Sequence, residues 1–116
     1  MIVNIIKDAL AQKAPLKSFR SSKWRGAKKV FLKDNPFCAC CGGKINLEVH
    51  HIKPFYLYPE LELDPTNLIT LCEKNSKDIN CHLFIGHLGN YKKINPYIHK
   101  DIKTWSKRYK SKKCLL

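Results

Sequence analysis

Hydrophobic positions change their spacing several times along the chain, and each change predicts an element. Ile2, Ile6, Ala9 and Leu10 recur at helical intervals, predicting a short amphipathic helix over residues 2–13 that ends before Pro15. After a basic connector from Lys17 to Arg20, Trp24, Ala27, Phe31 and Leu32 share one face of a second helix that runs to about Lys33. Ser21 or Ser22 suits its N-cap, and Asp34-Asn35-Pro36 stops it, since the residue before proline is biased away from helix. The period then drops to two. Ile45, Leu47 and Val49 alternate with Asn46 and Glu48, predicting a strand over 44–49 with one buried face. Pro54 to Asp64 reads as a loop whose aromatics, Phe55, Tyr56 and Tyr58, pack into the core rather than touch DNA, and whose carboxylates belong to a locally packed surface segment rather than to a metal site. The turn signal Asp64-Pro65-Thr66 precedes a second short strand, Leu68 to Leu71. Helical spacing returns from Cys81 to His87, and again after Asn95-Pro96, where Ile98, Ile102, Trp105 and Tyr109 form one face. Two short strands among helices predict a small α+β fold.

Charge gives this pattern a polarity. Residues 1–37 carry nine basic and two acidic side chains, 38–90 four and six, and 91–116 nine and one, so two basic arms flank a slightly acidic centre. The formal charge of +13 predicts a polyanionic partner: nucleic acid first, an anionic membrane surface second. Arg25 and Lys29 in the first arm, and Lys103, Lys107, Arg108 and Lys110 in the second, are the candidate phosphate contacts. No apolar run is long enough to span a bilayer, and Asn4, Lys7 and Asp8 interrupt the N-terminal one, so no signal peptide is read and a cytoplasmic protein is expected. The length suits a single domain, with an N-terminal arm (1–37), a core (38–90) and a C-terminal helix (91–116).

That core holds five of the six cysteines and four of the five histidines. Cys38 and Cys41 form a Cys-x-x-Cys knuckle with Gly42-Gly43 as its turn, and Cys72 and Cys81 complete a set of four thiolates suited to tetrahedral zinc. Disulfides are the alternative, disfavoured by the expected reducing compartment. A small domain gains stability from such a metal staple. Cys40 fits the set less well than Cys41, and Cys114 reads as a separate thiol. His50 and His51 end the first strand, where period-two geometry sends neighbours to opposite sides and gives them different tasks. On a regular helix His87 lies roughly 140° around from His82, which argues against both facing one ion. His99 reads as an exposed polar residue.

His50-His51 in LEVHHIKP, Asn67 in DPTNLITLC and His82 in NCHLFIGH, with FLKDNPFCACCG as lead-in, resemble the HNH endonuclease family, in particular its small phage-type, zinc-knuckle members. The resemblance implies a ββα-metal (His-Me finger) core with a structural zinc and flanking basic helices, and cleavage of DNA phosphodiester bonds to leave a 5′ phosphate. It further implies His50 and His82 as ligands of a catalytic divalent ion (Mg2+, Mn2+, Ni2+ or Zn2+), with His87 as a further possible ligand. His51 would be the general base, and Asn67 a residue that holds the loop aiming it. The spacing of Cys72 from Cys81 is wider than the second Cys-x-x-Cys of many relatives. A zinc-stabilised DNA-binding or packaging accessory protein without catalysis is the competing reading; it has no need of the histidine and asparagine set.

Overall fold

A computed structural model describes residues 20–73 and 80–112, with side chains up to 108. The helix expected over 2–13, the 74–79 segment, Cys114 and the side chains of Tyr109 and Lys110 lie outside the described residues.

Helix α1 spans Trp24–Asp34. Its N-cap is Lys23, not Ser21 or Ser22. The reason is local: the Ser21 hydroxyl oxygen accepts the Lys23 N–H at 3.1 Å and closes a turn one step too early to cap the helix. Trp24, Ala27, Phe31 and Leu32 are half-buried, while Arg25, Lys29 and Lys33 are exposed. Asn35 ends the helix, its backbone N–H bonding Phe31 O at 2.8 Å.

Strands β1 (Leu47–His51) and β2 (Leu68–Cys72) pair antiparallel, with His50 opposite Ile69 and His51 opposite Leu68. The first strand starts later than its alternation suggests and runs on through both histidines. Asn46 adopts a left-handed φ of 54°, which asparagine tolerates better than most residues, and this turn leaves Ile45 48% exposed instead of buried. Every residue of β2 is buried.

A single π-helical turn, His82–Gly86, follows Cys81 where an α-helix is expected. Its N-cap is Cys81, and the Asn80 side-chain oxygen, one residue earlier, accepts the Leu83 N–H at 2.9 Å. Helix α2 spans Ile98–Lys112 and begins later than a cap at Asn95 would place it. Asn95 is buried and serves a different purpose. Its oxygen accepts the Tyr97 N–H, and its amide donates to Ile85 O at 2.8 Å and to Asp101 at 2.9 Å, tying α2 to the π turn. Ile98 is fully buried and Ile102 half-buried, but Trp105, expected on the inner face, is 40% exposed beneath the Arg108 guanidinium.

The core gathers Ile69, Leu71, Ile85 and Ile98 around Cys38, Cys40, Cys72 and Cys81. A conventional apolar core is thus replaced at its centre by sulfur, an economy suited to a small domain. In the 54–64 loop Phe55, Leu57 and Tyr58 are buried, in keeping with a core role for its aromatics, whereas Tyr56, expected to pack with them, is exposed. Glu62, expected on the surface, is buried because its carboxylate accepts the backbone N–H of Ser21 at 3.1 and 3.2 Å. No described helix is long and apolar enough to cross a membrane.

Candidate metal centres and active site

The knuckle turn, the end of β2 and the entry to the π turn bring Cys38, Cys41, Cys72 and Cys81 together, all four sulfurs within 4.8 Å of one another. Backbone N–H groups point at the sulfurs: Cys41 N–H to Cys38, Gly43 N–H to Cys41 and Cys81 N–H to Cys72, each at 3.4 Å. The turn needs Gly42, whose φ is +78°. No disulfide forms among the described cysteines. Two thiolates on one ion at about 2.3 Å in a tetrahedron stand roughly 3.8 Å apart. Cys41 and Cys72 are separated by 3.8 Å. The cluster therefore has the dimensions of a closed four-thiolate site. Its protonation tells the same story: against the opposing influence of Cys41, hydrogen bonds from Cys72 and Cys81 bring Cys38 down to about 7. Cys38 and its neighbours push Cys72 and Cys81 upward, so a cation is what would allow all four to ionise. Cys40 is buried against this cluster but is not one of the four.

A second cluster lies beside it. His50 Nδ1 is 3.1 Å from His82 Nε2, which is 3.2 Å from His87 Nε2. His87 thus joins the group against the helical-wheel expectation. In a π-helix hydrogen bonds run from i to i+5, so residues five apart return to one face, as His82 and His87 do here. Gly86 gives them room; a Cβ there would lie 3.2 Å from His50 Cε1 and 3.3 Å from His82 Cδ2.

The outer partners decide what the rings present to one another. His87 Nδ1 lies 2.9 Å from Lys93 O, and since a carbonyl only accepts, that nitrogen carries the proton. His82 Nδ1 donates to the Glu73 carboxylate, whose other oxygen takes the Tyr91 hydroxyl. Burial pushes the Glu73 carboxyl up, but the Tyr91 hydroxyl and His82 outweigh it and hold it below the usual range. Both Nε2 atoms are left with bare lone pairs facing each other at 3.2 Å. Such an arrangement is repulsive by itself and favourable around a cation. Two imidazoles on one ion at about 2.0–2.1 Å stand roughly 3.3 Å apart in a tetrahedron, so the donor set fits a metal. Burial and the neighbouring imidazoles pull the His50 pKa down to about 3, keeping it a neutral donor.

His51 faces the other way, as alternation along β1 requires. Its ring packs on Trp24, centroids 4.4 Å apart, and Nε2 donates to Glu62 O at 2.9 Å, leaving Nδ1 with its lone pair. Burial lowers its pKa from 6.5; the Glu62 carbonyl opposes the shift and the Arg20 guanidinium deepens it. Asn67 holds the loop that supplies this carbonyl. Its oxygen accepts the Lys53 N–H at 2.8 Å while its amide donates to Lys53 O and Leu61 O, the residues next after His51-Ile52 and next before Glu62. His50, His51, His82 and His87 line one open cavity of about 360 Å³, with Arg20 and Tyr56 on its rim.

A comparison with protein families adds an independent observation. Residues 38–83 match the HNH endonuclease family. The HNH match runs from the first cysteine of the knuckle, through both strands, to the start of the π turn. It covers less than half of the chain and leaves Arg20, Trp24, His87 and Tyr91 outside. No curated protein and no solved structure matches the chain. Within the HNH segment, His50, His82 and the four cysteines fall into the two clusters, His51 and Asn67 into the adjoining loop clamp. Arg25 and Lys29 lie exposed on α1, and Lys103, Lys107 and Arg108 on α2, none of them lining the histidine cavity. Sequence reasoning overlooked Glu73, Tyr91, Glu62 and Arg20. The first two had a faint signal, an acidic residue directly after one cysteine and an aromatic just past Gly89-Asn90; the others had none.

Proposed function

We propose that this protein is a metal-dependent DNA endonuclease of HNH type, with a ββα-metal core formed by β1, β2 and the π turn. The observation that carries the reading is the pairing, in one cavity, of a histidine with an oriented lone pair and three imidazoles whose ring nitrogens converge. A zinc-binding module without catalysis needs neither.

Cys38, Cys41, Cys72 and Cys81 hold a structural zinc. His50, His82 and His87 would hold a divalent ion, which when bound would supply positive charge to stabilise a phosphodiester in the course of cleavage. The all-imidazole donor set favours Mn2+, Ni2+ or Zn2+ over Mg2+ in affinity. His51 does the proton chemistry. Its Nδ1 accepts a proton from water as the water oxygen bonds to phosphorus; the P–O3′ bond breaks, and the 3′ oxygen leaves to take a proton from solvent. The lowered pKa leaves His51 more fully neutral near pH 6.5 than an ordinary imidazole, and so competent as a base. Trp24 and the Glu62 carbonyl fix the ring, so orientation is set before substrate binds. Exposed basic residues on α1 and α2 contact the phosphates of DNA.

Incubation of supercoiled plasmid with zinc-loaded protein and each of Mg2+, Mn2+, Ni2+ and Zn2+ tests the reading. Nicking that chelator abolishes and His51→Ala removes is expected. DNA binding without nicking under every metal would assign the protein to the accessory class.

A further inference from the structure

The histidine cavity carries a cation for which the reading above has no task. Arg20, just ahead of α1, lays its guanidinium over the Phe55 ring, Cζ 4.4 Å from the centroid, and 5.6 Å from that of Trp24. Its Nη1 lies 3.9 Å from Glu62 Oε2 and 3.5 Å from His51 Nδ1, while about half of the side chain, which lines the cavity, remains exposed to solvent. Glu62 is the organiser. Its carboxylate is anchored by the Ser21 N–H and faces Arg20, and its carbonyl takes the His51 Nε2 proton. One buried residue thus sets guanidinium and imidazole side by side through its two ends.

Neither polar contact of the guanidinium is short. At 3.9 and 3.5 Å they orient the planar fork without competing strongly against a phosphate oxygen, the acceptor a guanidinium matches best. The two aromatic rings restrain it without using its N–H donors.

We propose that Arg20 is a catalytic residue, its guanidinium donating to a non-bridging oxygen of the scissile phosphate, and that Glu62 is the positioning residue holding it beside the base. This inference rests on the nuclease reading. Negative charge grows on the non-bridging oxygens as water adds to phosphorus, so donors placed there stabilise the transition state more than the bound substrate. The incoming phosphate also draws the guanidinium off His51 Nδ1, releasing the lone pair when substrate arrives.

Single-turnover cleavage of a short DNA duplex at saturating protein, with affinity measured separately by anisotropy, tests this on variants checked for zinc content and fold. Arg20→Gln should lower the saturated rate by about 10²–10³-fold, the loss typical of one transition-state donor, with less than about a tenfold change in affinity. Arg20→Lys should recover part of the rate. Glu62→Gln should lower the rate less, and the double variant should fall no further than Arg20→Gln, because the carboxylate acts through the guanidinium. A wild-type saturated rate in Arg20→Gln, with weaker binding alone, makes Arg20 a remote anchor and overturns the proposal while leaving the nuclease reading intact. Failure of the wild-type protein to cleave with any of the four metals overturns both.

Discussion

The cysteine and histidine clusters touch the same backbone twice, at Cys72-Glu73 and at Cys81-His82, yet they are built on opposite terms. The cysteines sit in the core, their sulfurs receiving backbone N–H groups from within the fold. The histidines line an open cavity and are held from behind by Glu73 and the Lys93 carbonyl, which are not part of its lining. A closed site supports the fold, and an open one leaves a coordination position for substrate. Adjacent residues in one chain achieve both because a strand end and a helical turn each send neighbouring side chains in different directions.

The sharpest way to break this contrast is to remove a sulfur. Cys72→Ser should lose the bound zinc, expected at about one per chain, and with it cooperative unfolding, since metal binding and folding are coupled. Retention of a cooperative thermal transition in zinc-free protein would deny the cysteines their structural role. Next in size are the two neighbouring histidines. His51→Ala should keep both metals and DNA affinity but lose about 10²–10⁴-fold in cleavage, whereas His82→Ala should also lose metal from the second site, read by calorimetric titration. Equal metal affinity in the two variants would merge roles that the geometry separates.

Smaller effects probe the support behind the histidines. Glu73→Gln should weaken metal binding at the second site by about 10–100-fold while leaving the zinc in place, because it removes the carboxylate that fixes the His82 ring. Gly86→Ala should weaken that binding more modestly, about tenfold or less, by pressing a methyl group on His50 and His82. The smallest change lies outside both clusters. Replacing Lys103 and Lys107 by glutamate should reduce the salt slope of DNA affinity by about two if each meets one phosphate. Point changes suit this test better than truncation, because Ile98 of the same helix is fully buried in the core.

Much of this arrangement was legible in the residue pattern, and what was not has identifiable causes. Alternation marked β1, and the turn residues 64–66 followed by a short apolar run marked β2. Cysteine spacing pointed to the four sulfurs that gather, and the family resemblance, not spacing, named His50 and His82 in the second cluster. Ile45 misled because alternation says nothing of the left-handed residue after it. Glu62 misled because a carboxylate is buried here by a backbone N–H forty-one positions earlier, a partner no local pattern reveals. His87 misled for a third reason: the helical wheel assumes an α-helical repeat, and this turn does not have one.

An α-helix closes its hydrogen bonds over four residues and a π-helix over five, so the His82–Gly86 turn amounts to an α-helical turn with one residue inserted. Such an insertion is reversible in principle. Phe84 is the natural residue to excise, being 55% exposed where Ile85 and Gly86 are buried. Without it the two histidines would stand four apart, a spacing at which an ordinary α-helix also aligns side chains on one face. An α-helical turn one residue shorter would then present the same two histidines on one face, which the present turn does at the cost of an irregular backbone.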